Sequence, residues 1–408
     1  MNLNPIILSI PVFFLLIGME LLISRFSGKN IYRLPDAISN LSCGITQQAS
    51  ALFLKIFSLG FFQYTLEHFA LFSWKSKGGV YWLSLFLLVD FCYYWGHRMS
   101  HEINLFWGSH VVHHQSEDYN LSVALRQSSF QIIWTSAFNL PIALLGFHTL
   151  DFALISAFNT LYQFWIHTET IGKLGGLEYI FNTPSHHRVH HGRNPKYIDK
   201  NHAGILIIWD KLFGTFQVEE ERPTYGITKP LNSWNPVWAN FNHYASMWED
   251  LKKIKRGKEK ILFLFKKPGW MPPDLGEAQV THPLSVSSPI KYDTPASSPL
   301  NFYVLFQFVV IVILTSVFLY FAEKLSWEMK LIITGFICWT VMNCGVLFED
   351  AKWVSISEWV RLFIFAGFTL TWSIKEDLFP ILLFGITFSI FSLPGFYWIR
   401  KFRIKKNS

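Results

Sequence analysis

Long apolar runs dominate the pattern of hydrophobic and polar positions along the chain. Because about 20 apolar residues suffice to cross a bilayer as a helix, these runs predict membrane-spanning helices. The first run has no basic residue before it and no small-residue cleavage site after it, so it predicts a retained anchor rather than a signal peptide. The nine runs lie at about residues 6–23, 49–72, 81–95, 130–147, 152–166, 302–321, 331–348, 360–372 and 378–398.

Basic residues predict the orientation of these helices, since short cytoplasmic loops carry an excess of Lys and Arg. Arg25, Lys29 and Arg33 follow the first run, and a second basic group forms the C-terminal tail. Alternation of nine spans between two cytoplasmic basic groups places residues 96–129 and 168–301 on the cytoplasmic side.

Composition and patterning together divide the chain into four expected parts. Residues 1–80 are expected to form N-terminal membrane helices, 81–251 a histidine-rich domain, 252–300 a basic and Pro/Ser-rich linker, and 301–408 a C-terminal transmembrane bundle. The expected fold class is all-α: a polytopic membrane helical bundle with a histidine-rich helical cap on the cytoplasmic side.

The overall composition supports a membrane protein and argues against nucleic acid as a partner. The chain is 51% hydrophobic and 15% charged, whereas soluble domains are about one quarter charged. Its net charge of +7 comes from residues that flank the apolar runs and the C-terminus, where anionic lipid headgroups lie. The four cysteines form no Cys-x-x-Cys pair and lie in or beside apolar stretches, so neither a disulfide framework nor a zinc knuckle is indicated.

Clusters of histidine provide the candidate chemistry. Residues three or four apart share one face of a helix, and adjacent residues diverge by about 100°. Each cluster can therefore supply ligands to two different metals. The clustered histidines are His97, His101, His110, His113, His114, His167, His186, His187, His190 and His191.

So many imidazoles at neighbouring helix ends would be poorly solvated and would repel one another if protonated, and bound metal resolves both problems. A structural zinc needs only four ligands, so the number of candidates implies two metals. Imidazole suits zinc, copper, iron and nickel alike, and iron is favoured because a dinuclear site beside apolar helices suits oxygen activation. Histidines that stand alone are interpreted as ordinary core or surface residues; they are His68, His148, His202, His243 and His282.

The spacing His-x-x-x-His, His-x-x-His-His and a late His-x-x-His-His resembles the fatty acid hydroxylase/sterol desaturase superfamily of membrane di-iron enzymes. The resemblance covers about residues 30–270 and is weaker over the last hundred residues. Five further stretches carry it: residues 116–122, 124–128, 161–169, 182–194 and 208–216.

This resemblance implies two irons, a set of ligands and one catalytic carboxylate. Glu102, which directly follows the first His pair, would serve pterin binding or the integrity of the site. His186 would stand beside the ligands rather than among them, and residues 302–408, which contain no His, would add no ligand. The implied ligands are His97, His101, His110, His113, His114, His167, His187, His190 and His191.

The implied activity is a monooxygenation in which oxygen from O2 enters a lipid C–H bond. The first expectation is the carbon next to the ether oxygen of an alkylglycerol lipid, which gives a fatty aldehyde and a glycerol derivative. Tetrahydrobiopterin is the expected external reductant, and cytochrome b5 or ferredoxin serves other members of the superfamily. The chain has no His-Pro-Gly-Gly haem signature and no Gly-x-Gly-x-x-Gly loop, so its electrons must come from an external donor.

Two other functions stay open at this point. One is hydroxylation or desaturation of a fatty acyl or sterol-like lipid. The other is a non-catalytic metal transporter or sensor, but a transporter should carry ionisable residues at mid-membrane, whereas these histidines lie at the ends of the apolar runs.

Overall fold

The computed structural model describes residues 5–276 and 290–375, together with residues 385, 387, 388, 392 and 395–397. Within these residues the regular elements are helices, which confirms the all-α prediction. The α-helices are α1 Pro5–Phe26, α2 Leu34–Phe69, α3 Gly79–Glu102, α4 Asn104–His114, α5 Leu121–Ala124, α6 Gln131–Phe138, α7 Leu140–Leu144, α8 Thr149–Trp165, α9 Pro184–His190, α10 Ile208–Leu212, α11 Pro236–Lys253, α12 Gly257–Phe265, α13 Ser298–Phe321, α14 Trp327–Glu349 and α15 Val354–Lys375. Short 3-10 helices lie at Gly175–Tyr179, Pro273–Leu275 and Ala322–Lys324.

Helices long and apolar enough to cross a membrane occur near the N-terminus and after the linker. Their surfaces carry large exposed apolar side chains, such as Leu15 on α1 and Phe57 on α2, as expected where lipid replaces water. The predicted run at 378–398 and the basic tail lie largely outside the described residues. The five candidate spans are Leu8–Phe26, Leu34–Phe69, Ser298–Lys324, Trp327–Glu349 and Val354–Thr371.

The predicted span at 130–147 is wrong. The chain there forms α6 of 8 residues and α7 of 5 residues, which meet at Asn139. Pro141 lies in the first turn of α7 and has no backbone N–H to continue the ladder of α6. Neither helix reaches the length of about 20 residues that a bilayer requires. Simple alternation of nine spans therefore does not establish on which side the histidines lie.

The runs at 81–95 and 152–166 do form helices, α3 and α8, although neither is among the five candidate spans. Each carries a fully buried polar side chain, and Asn159 of α8 donates a 2.7 Å hydrogen bond to Asp90 of α3. Leu85 of α3 packs with Phe147 and Ile142 in an apolar core beside these polar groups. The two helices are thereby fixed against each other close to the histidines at their C-terminal ends.

By internal contacts the chain forms two compact units, residues 1–232 with 237–292, and residues 233–236 with 293–408. In the first unit α3 packs against α4, α6 and α8, while α2 packs against α5, α6 and α7. Gly44 of α2 allows a close approach, since a Cβ there would lie 2.3 Å from the carbonyl oxygen of Leu125.

The second unit contains a buried ion pair between Arg361 and Glu358 of α15, with N–O distances of 2.6 and 2.9 Å. Tyr303 of α13 and Asn343 of α14 donate to the same carboxylate at 2.6 and 2.9 Å. The network joins all three helices, and leaving one partner of a buried pair alone costs about 3–5 kcal/mol. We interpret it as the device that fixes the register of this bundle.

Candidate metal centre

The nine predicted ligands converge in the first unit as two adjoining groups of buried imidazoles. Within each group the nitrogen atoms available for a metal all lie within 4.8 Å of one another. The first group is His97, His101, His110, His114 and His190, and the second is His113, His167, His187 and His191.

The local helices explain this convergence. α3 ends at Glu102 and α4 begins at Asn104, so His pairs on two consecutive helices face one volume. Adjacent histidines separate as their 100° divergence predicts: His114 joins the first group and His113 the second. His190 and His191 divide in the same way, and the rings of His114 and His191 lie 4.4 Å apart where the groups meet.

Backbone carbonyl groups hold four of the rings through Nδ1. His97 donates to the carbonyl oxygen of His202 at 2.7 Å, and His190 donates to that of Lys200 at 2.9 Å. His113 and His167 donate to the carbonyl oxygens of Arg126 and Gln163 at 2.9 and 2.7 Å. A proton fixed on Nδ1 leaves a lone pair on Nε2, which is the form that binds a metal.

The Nε2 atoms point toward one another. Those of His97 and His110 are 2.9 Å apart, and those of His167 and His187 are also 2.9 Å apart. Among the described residues, the buried Nε2 atoms of His101, His190 and His191 have no hydrogen-bond partner. Convergent lone pairs and unpaired buried nitrogens are unfavourable by themselves but match the requirements of a metal ion. The residues present therefore fit the implied metals.

Burial keeps these imidazoles neutral. Desolvation lowers the pKa of His113 to about 4, and it lowers the pKa of His190 well below the usual value, with further lowering by the neighbouring His97. The pKa of His191 is likewise well below the usual value because of burial and the proximity of His114. The neutral ring is the ligand form, so the site has the protonation state that metal binding needs.

Two buried carboxylates, which the sequence analysis did not identify, hold the loop that supplies two of these carbonyls. Asp90 accepts the backbone N–H groups of Ile205 and Leu206 at 2.8 and 3.0 Å. Asp210 accepts those of His202 and Ala203, both at 2.8 Å. In the sequence, Asp90 is a lone carboxylate in an apolar run, and Asp210 lies in the stretch 208–216, one of those that carry the resemblance.

The interpretation of His202 as an ordinary lone histidine is wrong. Its ring is fully buried, lies 5.0 Å from the ring of His101, and has no hydrogen bond on either nitrogen among the described residues. Nδ1 is 3.7 Å from Oδ1 of Asp210. His202 belongs to neither ligand group but borders the first. The sequence does not reveal that His202 borders the first group, because His202 stands eleven residues after His191.

The other separate histidines agree with the sequence interpretation where the structure describes them. His68 and His148 are exposed, and His243 bonds Oδ1 of Asn104 at 2.9 Å. His282 lies outside the described residues. His186, expected beside the ligands, belongs to neither group, and its ring packs 5.4 Å from Phe216.

Glu102 also lies outside both groups. Its carboxylate accepts a 2.9 Å bond from Nε of Arg98, and its side chain is 23% exposed. Arg98 also donates to the hydroxyl of Tyr94 at 3.2 Å, which in turn contacts Thr215 at 2.9 Å. Since Thr215 donates to Asp210 at 2.6 Å, these side chains connect Glu102 to the loop beside the first group.

Among the described residues, both histidine groups consist of positions between 97 and 191. The second unit therefore contributes no member to either group. Glu349, a carboxylate that could have reached a metal, instead accepts bonds from Ser233 and the backbone of Trp234 at 2.7 and 2.5 Å.

Comparison with known proteins agrees with this geometry. The family model for fatty acid hydroxylase matches residues 82–215, which include all nine histidines. Alkylglycerol monooxygenase of Homo sapiens is 41% identical over 87% of this chain and 80% of its own length, and that of Xenopus tropicalis is 37% identical over 86% and 79%. Ornithine lipid hydroxylase of Rhizobium tropici is 30% identical over 32% of this chain and 40% of its own length. No solved structure matches the chain significantly. The chain therefore belongs to the alkylglycerol monooxygenase family and is an oxygen-dependent oxidoreductase of the fatty acid hydroxylase type.

Proposed function

We propose that this membrane lipid monooxygenase hydroxylates the ether-adjacent carbon of an alkylglycerol lipid, at two irons held by the nine grouped histidines. The observation that carries the proposal is the pair of adjoining groups of buried, neutral imidazoles. The extent of similarity to proteins named alkylglycerol monooxygenase supports the choice of substrate. Residues 81–251 would then form the catalytic domain.

The reaction balances with one oxygen molecule. The ether-adjacent C–H bond and O2, with two electrons and two protons, give a C–OH group and water. The resulting hemiacetal collapses to a fatty aldehyde and a glycerol derivative. The two irons, when bound, supply the oxygen activation that no side chain of the protein can provide.

The protein's own residues orient the ligands and exclude water. The carbonyl groups of Lys200 and His202 hold the rings of His190 and His97, so the lone pair of each Nε2 is presented to a fixed point. All nine rings are buried, which keeps competing protons and bulk water away from the site. A dry site also protects a reactive oxidant from quenching.

Electrons must come from an external donor, and tetrahydrobiopterin is the donor we propose. The resemblance to the superfamily leaves cytochrome b5 and ferredoxin as the protein alternatives. Glu102 stays a proposed contributor to pterin binding or site integrity, through the contacts of Arg98 with Glu102 and Tyr94.

Turnover of matched lipids tests the proposed function. With iron-loaded protein in nanodiscs and reduced pterin, we expect a 1-O-alkylglycerol to give fatty aldehyde in equal amount to the O2 consumed. A monoacylglycerol of the same chain length should give no fatty aldehyde. The first carbon of its acyl chain, which is bonded to the ester oxygen, is a carbonyl carbon and has no C–H bond to hydroxylate.

A second candidate function, fatty acyl hydroxylation, has support from the partial similarity to ornithine lipid hydroxylase. Hydroxylated acyl chains from the monoacylglycerol, with no aldehyde from the ether, would favour this function. Stoichiometric metal binding with no oxygen uptake in the presence of either lipid would contradict both candidate substrates.

The metal centre is further proposed to face the cytoplasm. Arg33, in the basic segment after α1, forms a 2.9 Å ion pair with Asp118, and Lys29 lines a cavity with Arg188 of α9. The basic segment and the histidine site thus share one face of the first unit, and basic segments favour the cytoplasmic side. The proposed orientation is the same whatever the number of spans.

Cysteine labelling measures this orientation. A cysteine at Lys29 should react with a membrane-impermeant maleimide only after intact cells are permeabilised. A cysteine at the exposed Lys75, beyond the other end of α2, serves as the comparison and should react without permeabilisation. Labelling of the Lys29 position in intact cells would reverse the proposed orientation.

A further inference from the structure

Helix α11, which follows the histidine clusters in the chain, carries large apolar side chains on its outer face. Its exposed positions recur every three or four residues, so they lie along one face of the helix. In a helix on a water-covered surface such a face would be polar, yet Trp248 on this face is 62% exposed. The exposed positions along it are Trp238, Phe241, Ala245, Trp248 and Lys252.

The shorter helix α12 repeats this arrangement. Lys258, Ile261 and Phe265 are exposed at spacings of three and four residues, Ile261 by 62% and Phe265 by 53%. Phe263, on the opposite side of α12, is buried and packs with Met247 of α11 in a shared apolar core. Both helices therefore pack against the protein on one side and turn bulky apolar side chains outward on the other.

Basic residues surround these outward-facing apolar side chains. Between residues 252 and 267 eight residues are basic and one, Glu259, is acidic. Four of the cations form ion pairs in which the cation is more than half exposed, and exposed ion pairs contribute little to stability. The other four cations are exposed and form no ion pair with the described residues: Lys255, Lys258, Lys260 and Lys266.

We propose that α11 and α12 lie in the headgroup layer of the bilayer and that their basic residues bind anionic phospholipids. Tryptophan is enriched at this depth, and lysine there keeps its charged end in water while its stem covers apolar surface. Helices with an apolar face and basic residues bind membrane surfaces through both features, and anionic lipids strengthen the binding. The first unit contains the candidate spans of α1 and α2, which bring it to a bilayer.

Other environments satisfy only part of this surface. Exposure to water would suit the lysines but would leave Trp248, Ile261 and Phe265 without apolar neighbours. A second copy of the chain could cover the apolar side chains, but contact through α12 would bring the same eight cations of two chains together. Anionic phospholipids supply phosphate groups for the lysines and acyl chains for the apolar side chains. Their binding does not depend on which lipid is oxidised.

The same two helices hold the start of α4. The backbone N–H of Asn104 donates to the carbonyl oxygen of Lys266 at 2.9 Å, and its side-chain amide donates to that of Phe263 at 3.2 Å. Oδ1 of Asn104 bonds Nε2 of His243 on α11 at 2.9 Å. Since α4 carries three of the nine grouped histidines, a lipid that fixes α12 also fixes the start of a helix of the metal centre.

Photo-crosslinking in nanodiscs identifies the occupant of this surface. Phe265→p-benzoylphenylalanine, in the iron-loaded protein, extends an exposed ring of α12 by a group that bonds covalently to the molecule in contact with it. In a bilayer of phosphatidylcholine mixed with phosphatidylserine, mass spectrometry should detect phospholipid adducts. We expect phosphatidylserine to be enriched among them relative to its share of the bilayer.

Neutralised lysines test the recognition of charge. In the crosslinking protein, Lys258→Gln should lower the phosphatidylserine enrichment about fivefold, which corresponds to about 1 kcal/mol per charge. The triple change Lys255→Gln, Lys258→Gln and Lys260→Gln should abolish it. The matched control removes the same charge from three exposed lysines outside both helices and should leave the enrichment unchanged; its changes are Lys173→Gln, Lys196→Gln and Lys229→Gln.

A second crosslinking position makes the result decisive. Phe57→p-benzoylphenylalanine on the candidate span α2, where the ring is 75% exposed, should give phospholipid adducts without preference for phosphatidylserine. No phospholipid adduct at position 265 while position 57 reacts, or the same headgroup preference at both positions, would overturn the proposal. An adduct to a second copy of the chain at position 265 would instead assign this surface to self-association. Enrichment that persists in the triple variant would show that these lysines do not select the lipid.

Discussion

Replacement of His190 by alanine is expected to abolish oxygen uptake and to weaken metal binding at the first group by more than 100-fold. Its ring lies 4.5 Å from that of His97 and 4.8 Å from those of His101 and His114, at the centre of this group. Loss of residues that merely support ligands costs about 10–100-fold in affinity, so loss of a ligand should cost more.

His110→Ala should have the same effect, because Nε2 of His110 is within 3.2 Å of the Nε2 atoms of both His97 and His114. Both proteins should still insert into the membrane, since the candidate spans lie before and after the histidine clusters. Iron per polypeptide and oxygen uptake in nanodiscs measure the two effects.

His68→Ala is the matched control, since its exposed ring on α2 belongs to neither group. His282→Ala is also expected to be silent, although that residue lies outside the described part of the chain. A His190→Ala protein with full iron content and normal turnover would remove His190 from the ligand set.

The histidine site was largely predictable, because the spacing of two residues along a helix determines the angle between their side chains. The four-residue spacing of His97 and His101 and the adjacency of His113 and His114 were enough to predict that these clusters can supply ligands to two metals. The late cluster at 187–191 required the fold itself to bring it to the first two clusters. Its convergence with them followed from the resemblance and not from the spacing.

The parts that could not be predicted depend on interactions that leave no pattern in the sequence. The carbonyl groups of Lys200 and His202 orient two rings, yet every residue has a carbonyl group, so residue type carries no signal. The break at Asn139 was hidden because Ile, Leu and Pro around it keep the run apolar. Hydropathy measures transfer to lipid and does not register where a helix ends.

The position of His202 beside the first group could not be predicted for a different reason. A single histidine in a sequence is usually an ordinary core or surface residue, and only the tertiary structure shows that this ring faces His101 at 5.0 Å. Burial without a hydrogen bond on either nitrogen, beside the carboxylate of Asp210, separates it from the other histidines that stand alone.

Asp210→Asn is expected to weaken metal binding about 10–100-fold, although Asp210 is not among the proposed ligands. Its buried carboxylate accepts three hydrogen bonds, from the backbone of His202 and Ala203 and from Thr215. The amide of asparagine would present an NH2 group to at least one of these donors, which leaves a buried donor unsatisfied.

The loss of metal affinity should occur at the first group, because the backbone of this loop orients two of its rings. The loop held by Asp210 carries the carbonyl oxygens that receive the Nδ1–H groups of His190 and His97. The second group obtains its carbonyl bonds elsewhere, from Gln163 for His167 and from Arg126 for His113. One metal should therefore be lost before the other.

Titration with Co(II) measures this asymmetry. The absorption bands of the bound metal report the occupancy of the sites and do not depend on activity. In Asp210→Asn we expect one tight equivalent and one weakened equivalent, with Asp274→Asn, an exposed carboxylate in the Pro273–Leu275 turn, as the unchanged control. Equal weakening at both sites would mean that Asp210 stabilises the whole domain. Two tight equivalents would mean that the loop carbonyls hold His97 and His190 without the carboxylate.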